Sequence, residues 1–226
     1  MRLPQAPDWG QLIYATRGAL TVAVGTGLWF VPGQRALWVP AGEVYQLEMG
    51  SSVQLRSLYV RRDRCSSLPA ACRAITVSPL LHELVLHITR LNTLRCEQCE
   101  HENLLAVLLD QLRAAPSASL RLPMPADVRA SRVAALLLAS PIATVTLADA
   151  ARSAGASART LERLFERDTG LTFSAWRQRL RALTALRLLA SGVSVGETAA
   201  ETGYPSASAF IAMFKRELGA TPKRLA

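Results

Sequence analysis

Thr146 to Gly170 reads TLADAARSAGASARTLERLFERDTG, and Val193 to Gly219 reads VSVGETAAETGYPSASAFIAMFKRELG. These two stretches are one unit written twice. Leu147, Ala151 and Gly155 fall four apart in the first copy, and Val195, Ala199 and Gly203 do so in the second. Each copy then enters a helix opened by a serine and anchored by an aromatic, Phe165 or Phe214. Two short helices crossing steeply need a small residue where their backbones approach, here Ala151 and Ala199. The turn between them needs a residue that accepts positive φ, which glycine does without strain. The second helix must turn an apolar face back to the first: Leu161, Leu164 and Phe165 in one copy, Phe210, Met213 and Phe214 in the other. Small, glycine and apolar positions recurring together predict two helix-turn-helix units, whose second helices enter the major groove of DNA.

Working outward, ASARTLERLFERDTG, FSAWRQRLRALTALRLLASG and ETGYPSASAFIAMFKRELGATPKRL follow one another in fixed order. In order and spacing, over most of residues 130 to 225, they resemble the AraC/XylS transcription regulators. The closing Gly219-Ala-Thr-Pro222 also matches that family. The resemblance implies two helix-turn-helix units joined by one long helix. The segment SASAFIAMFKRELGATP is similar to regulators often paired with efflux genes, so control of efflux or metabolic genes is an expectation by analogy.

Composition agrees with a polyanion partner. The 226 residues carry a net charge of +9. Residues 127 to 226 hold 14 Lys and Arg against 8 Asp and Glu, so most of the excess lies on the repeated segment. A basic domain binds DNA through phosphate neutralisation and counterion release. No run of 18 apolar residues predicts a membrane span, and MRLPQAPDWG lacks the apolar core of a signal peptide. Four scattered cysteines fit a reduced, cytoplasmic setting.

Upstream, QLIYATRG, ALTVAV, LWFVPG, RALWVPAG, VYQLEM and VQLRSLYV are short, rich in Val, Leu, Tyr and Trp, and split by Gly or Pro. They predict a small antiparallel barrel or sandwich. GQLIYATRGALTV and RALWVPAGEVYQL resemble the cupin-type barrel of many AraC-type regulators. The resemblance departs at the cupin metal site. Tyr45 stands after Pro40-Ala41-Gly42 where a histidine is expected, Asp8 and Trp9 replace a histidine pair, and no histidine precedes His82. A barrel metal needs several N or O ligands, so the expectation is a metal-free barrel, no cofactor and no enzyme activity. Tyr14, Trp29, Trp38 and Tyr45 line a small-molecule pocket or serve as core or dimer aromatics. Arg35 and Glu48 orient a polar ligand or are surface charges.

Beyond the barrel, SPLLHELVLHITRL carries a stripe of Leu81, Leu84, Val85 and Ile88, capped by Ser78 with Pro79 in the first turn. HENLLAVLLDQLRAA carries Leu104, Leu105, Leu108, Leu109 and Leu112. These helices are more apolar than a small barrel needs, and homodimerisation through residues 78 to 114 is expected. Cys96 and Cys99 form a C-x-x-C beside His101; without a second pair it is a weak metal or redox candidate, or a pair of ordinary thiols. PSASLRLPMPADV reads as an interdomain linker. In the helix after it, Val133, Leu136 and Leu137 face the first repeat unit.

The expected fold class is α+β: an N-terminal cupin-like β-barrel with two dimerisation-type helices, then a C-terminal all-α double helix-turn-helix domain. Its divisions are a sensor barrel over 1–64, a connector and helical segment over 65–115, a linker over 116–127, and the DNA-binding domain over 128–226. Within the last, the two units span about 146–168 and 195–218, joined by a helix over 173–190. As a helix, those 18 residues span ~27 Å, which suits reading helices one DNA turn apart. In the first reading helix Ser157 is the cap, and Arg159, Thr160, Glu162 and Arg163 are the DNA-facing candidates. Arg pairs with guanine O6 and N7, while Glu162 accepts from cytosine N4 or pairs with Arg159 or Arg163. In the second, Ser206, Ala207, Ser208 and Ala212 are small, so methyl groups, shape and phosphates are read there, with Ser206, Ser208 and Lys215 on phosphates. Arg177, Arg179 and Arg181 are further phosphate candidates. The expected partners are double-stranded promoter DNA, a small-molecule effector, a second copy of the chain and, for an activator, RNA polymerase.

Overall fold

The computed structural model describes residues 7–50, 53–95, 97–143 and 145–225. Its fold is α+β, and the chain divides into two compact units: residues 1–25 with 31–119, and residues 26–30 with 120–226.

In the N-terminal unit one sheet runs in the order β6 (Gln54–Arg61), β1 (Trp9–Arg17), β4 (Arg35–Val39), β7 (Arg73–Thr76). All its pairings are antiparallel, and a bulge between Ala15 and Arg17 bends β1 against β6. β2 (Ala19–Val24) pairs antiparallel with β5 (Tyr45–Met49), Val22 opposite Leu47. Alternation decides which face each residue takes. Leu12, Tyr14, Ala36, Trp38, Leu58 and Val60 form one buried face, and α1 (Pro79–Leu91) and α2 (Cys99–Ala114) pack on it through Leu81, Leu84, Val85, Ile88, Leu108 and Leu112.

The apolar stripe expected to pair with a second copy is therefore consumed by the chain's own sheet. A sheet face of Leu, Trp and Tyr needs cover, and the nearest amphipathic helices supply it. Ser78 caps α1 by accepting from Leu81 N. Among the described residues, Leu80, Leu91 and Val107 are large apolar side chains that α1 and α2 leave exposed. The sheet also extends past residue 64, since β7 joins it from the segment expected as connector.

In the C-terminal unit, β8 (Arg121–Pro123) lies inside the stretch expected as linker. β8 pairs antiparallel with Gly27–Trp29 of β3 (Gly27–Pro32), Leu28 opposite Leu122. Three residues, exposed, buried and half-buried in turn and ending in Pro123, are too short to announce a strand; the partner strand makes it one. The helices α3 (Val128–Ala139), α4 (Leu147–Ser153), α5 (Ala158–Thr169), α6 (Phe173–Ala190), α7 (Val195–Glu201), α8 (Ala207–Leu218) and α9 (Pro222–Leu225) follow. Asp168 Oδ2 accepts from both Ala126 N and Asp127 N, and Asp127 caps α3 at Arg129 N. The bond from Arg167, then those backbone N–H groups, hold the Asp168 carboxyl below the usual range. In α3, Val133 and Leu137 are buried as expected, but Leu136 is exposed, because it lies one position off the buried face.

Candidate nucleic-acid interface

The repeat in sequence is a repeat in hydrogen bonds. Each unit opens on a hydroxyl cap: Thr146 accepts from Asp149 N, and Ser194 forms a reciprocal capping box with Glu197. After the first helix the chain turns the same way twice. Gly155 N donates to Arg152 O at 3.1 Å and Ala156 N to Ala151 O at 2.9 Å; Gly203 N donates to Ala200 O at 3.0 Å and Tyr204 N to Ala199 O at 2.9 Å. Gly155 and Gly203 hold φ of +65° and +78°, which a side chain would strain. Ala151 and Ala199 are buried where the helices approach.

The second helices are capped alike, Ser157 accepting from Thr160 N and Ser206 from Ala209 N. Leu161, Leu164 and Phe165 of α5, and Phe210, Met213 and Phe214 of α8, are buried as the pattern predicts. Between the units α6 supplies the core. Trp176 is fully buried, Phe165 meets Trp176 and Phe173 edge-on at 5.4 and 5.2 Å, and Trp176 Nε1 donates to Pro123 O at 2.6 Å. Each reading helix is thus fixed on one side and free on the other.

On the free side of α5, Arg159 and Arg163 are exposed and Thr160 and Glu162 half-buried. Thr160 Oγ1 lies 2.9 Å from the Ser157 hydroxyl, so it belongs to the cap. On α8, Ser206, Ala207, Ser208, Ala212 and Lys215 are all exposed. Among the described residues, no ion pair engages Arg159, Glu162, Arg163 or Lys215, whereas Arg129, Arg152, Arg167 and Arg216 each pair with a neighbouring carboxylate. Leaving the cations Arg159, Arg163 and Lys215 unpaired suits a surface whose counter-charge arrives with a polyanion. Sequence reading missed Ile211, which is 37% exposed on α8 beside Ala212 and Ser208. The signal was present as an apolar residue off the buried stripe.

Arg177 and Arg179 turn inward instead of toward a ligand. Arg177 donates to Val145 O and, at 3.0 Å, to Ala143 O, and its guanidinium lies 5.6 Å from the Phe173 ring centroid. Arg179 Nε donates to Arg121 O at 2.7 Å, and Arg181 Nε to Pro141 O at 3.3 Å. Burial lowers the pKa of both Arg177 and Arg179, yet both stay charged. These arginines tie the segments before α4 and α3 to the central helix, because backbone carbonyls brought near it need donors. Arg177→Ala should lower the unfolding free energy of the C-terminal unit by about 1.5–3 kcal/mol. The slope of log affinity against log salt on DNA should stay unchanged; denaturant unfolding and a salt titration check the two halves.

In the N-terminal unit, Tyr14 and Trp38 belong to the packed face under α1. Tyr14 OH lies 2.7 Å from His82 Nδ1, and Trp38 Nε1 donates to Pro69 O at 3.0 Å. Trp29 stands opposite Arg121 in the β3–β8 pair. Tyr45 lines a cleft of about 160 Å³ together with Trp9, Gln11 and Tyr59. Arg35 is buried, not a surface charge, with Nη1 donating to Gln34 O; Glu48 is exposed. Cys96 lies outside the described residues; Cys99 is exposed, and no cluster of metal-ligating side chains occurs among the described residues. Among them, too, no helix is long and apolar enough to cross a membrane.

Comparison with known proteins matches residues 4–140 to the AraC-like ligand binding domain and residues 150–226 to a helix-turn-helix domain family. The HTH-type transcriptional regulator NimR of Escherichia coli K12 is 34% identical over 215 residues, covering 95% of this chain and 78% of that protein. The HTH-type transcriptional regulator RipA of Corynebacterium glutamicum is 39% identical over 100 residues, covering 44% of this chain and 30% of that protein. Among solved structures, a regulator of Chromobacterium violaceum with an AraC-type DNA-binding domain is 26% identical, with a TM-score of 0.41 over 42% of this chain and 87% of that one.

Proposed function

The chain belongs to the AraC family of transcription regulators, a DNA-binding regulator with a ligand-binding domain, and from that premise we propose how its parts divide the work. The DNA-reading surface is the free side of α5 and α8. Ser157 and Thr160 set the start of α5, and Arg159, Glu162 and Arg163 read base edges. Ser206, Ser208 and Lys215 hold phosphates, while Ala207 and Ala212 allow close approach and Ile211 contacts thymine methyls. The observation that carries this reading is the pair of identically capped helices whose outward cations are unpaired among the described residues. Arg177 and Arg179 act as scaffold, so their contribution to DNA affinity is indirect.

The N-terminal unit takes a small-molecule effector and the chain acts in the cytoplasm, on efflux or metabolic genes. It contacts RNA polymerase where it activates. The experiment is a footprint on fragments of the chain's own promoter region across a salt series. A protected site with affinity falling steeply with salt is expected; no salt-sensitive affinity for any duplex would overturn the reading.

The chain pairs with a second copy through the exposed rim of α1 and α2, where Leu80 and Leu91 lie three helical turns apart on one side. Leu80→Asp with Leu91→Asp should weaken the dimer by at least about tenfold, since each buried leucine is worth about 1.5–3 kcal/mol. Sedimentation equilibrium measures this. A wild-type chain that is monomeric at micromolar concentration removes the proposal.

A further inference from the structure

The cleft beside Tyr45 has a distinct chemistry. Trp9, Tyr45 and Tyr59 line it with Gln11 and Glu43, and no Lys, Arg or His lines it among the described residues. Trp9 and Tyr59 are 40% and 39% exposed, and both also border a second groove lined by Arg61 and Arg64. Tyr45 and Gln11, deeper in the lining, each donate to another side chain. The Tyr45 hydroxyl donates to Gln11 Oε1, Gln11 Nε2 donates to Ser57 Oγ, and Ser57 Oγ donates to Leu12 O at 3.3 Å. Burial first, then the neighbouring Tyr59, push the Tyr45 phenol up to about 12, against the pull of the Gln11 bond. Tyr45 therefore stays a neutral ring at physiological pH.

Glu43 reaches the cleft from the turn after Pro40, where Glu43 N bonds Pro40 O at 3.4 Å and Gly42 takes φ +92°. The cation beside this turn is Arg62, next to Gly42. Its Nη2 donates to Pro7 O at 3.0 Å and its Nε lies 4.0 Å from Asp8 Oδ1, so its partners are Pro7 and Asp8, and it is not itself among the lining residues. Three aromatic rings with one carboxylate attract a positive organic group through the ring quadrupoles. An anion would meet Glu43 with no Lys, Arg or His in the described lining to answer its charge.

We propose that this cleft takes a small organic cation, a substituted ammonium, held by Trp9, Tyr45 and Tyr59 with Glu43 as counter-charge. The proposal rests on the reading of the N-terminal unit as the effector-binding part and names the effector's class.

Calorimetric titration of the full chain with three probes of one shape tests it: choline, its neutral carbon analogue 3,3-dimethylbutan-1-ol, and 3,3-dimethylbutanoate. Choline should bind at least about tenfold more tightly than the alcohol, and the carboxylate should not bind. Tyr59→Leu and Trp9→Leu, both at exposed positions, should each weaken choline about tenfold, and Tyr59→Phe should retain it within about twofold. Glu43→Gln should weaken it several-fold. The proposal is overturned if choline and the alcohol bind alike, if the carboxylate is preferred, if both leucine variants bind choline as the wild type does, or if choline fails to bind at ~10 mM. DNA footprinting on the same preparations separates the two readings. Intact DNA binding without choline binding removes only the cation. A neutral or anionic probe lost in Tyr59→Leu keeps the effector site and replaces its chemistry.

Discussion

Trp176→Ala is expected to cost the C-terminal unit about 3–5 kcal/mol and, with it, DNA binding. The indole is fully buried at the centre of the unit, edge-on to Phe165, which in turn meets Phe173. Alanine leaves a cavity that a well-packed core only partly refills. It also leaves Pro123 O without its donor, since Trp176 Nε1 makes that bond at 2.6 Å. Because Phe165 anchors α5, the loss spreads to the surface proposed to meet DNA. Trp176→Phe separates the two losses: it keeps a ring against Phe165 and forfeits the bond to Pro123, an expected cost of about 1 kcal/mol for the bond alone. Denaturant unfolding of both variants checks the ordering. A Trp176→Ala chain with wild-type stability would mean that α6 is not the centre of this unit.

Arg163→Ala is expected to relax base choice by about 1–3 kcal/mol at one position of the operator. Arg163 is exposed on α5, and no ion pair engages it among the described residues, so removing it should leave the fold intact. Lys215→Ala is the contrast: affinity should fall by a similar factor on all sequences, and the salt slope should drop by about 1. Selection of bound sites from a random pool, run at two salt concentrations, distinguishes the two. If Arg163→Ala preserved sequence preference while Ser208→Ala destroyed it, α8 rather than α5 would dominate recognition.

The sequence by itself determined the elements that local chemistry specifies. Caps at Ser157 and Ser206, left-handed turns at Gly155 and Gly203, and buried stripes ending in Phe165 and Phe214 all lie within one short segment and twice repeated. The six strands from Trp9 to Arg61 were legible for the same reason, as short apolar runs between Gly and Pro. Tertiary structure decided what each apolar or charged side chain met. The α1 stripe is amphipathic whether it covers a sheet or a second copy; only the packing shows that Leu12, Tyr14 and Trp38 take it up. Arg177, Arg179 and Arg163 are alike in sequence, yet two are spent on carbonyls of Ala143, Val145 and Arg121 brought near by folding. Likewise Arg121–Pro123 becomes a strand because β3 offers it a ladder. Periodicity and turn chemistry act between residues a few positions apart, whereas a hydrogen-bond partner more than thirty residues away exists only once the chain has folded.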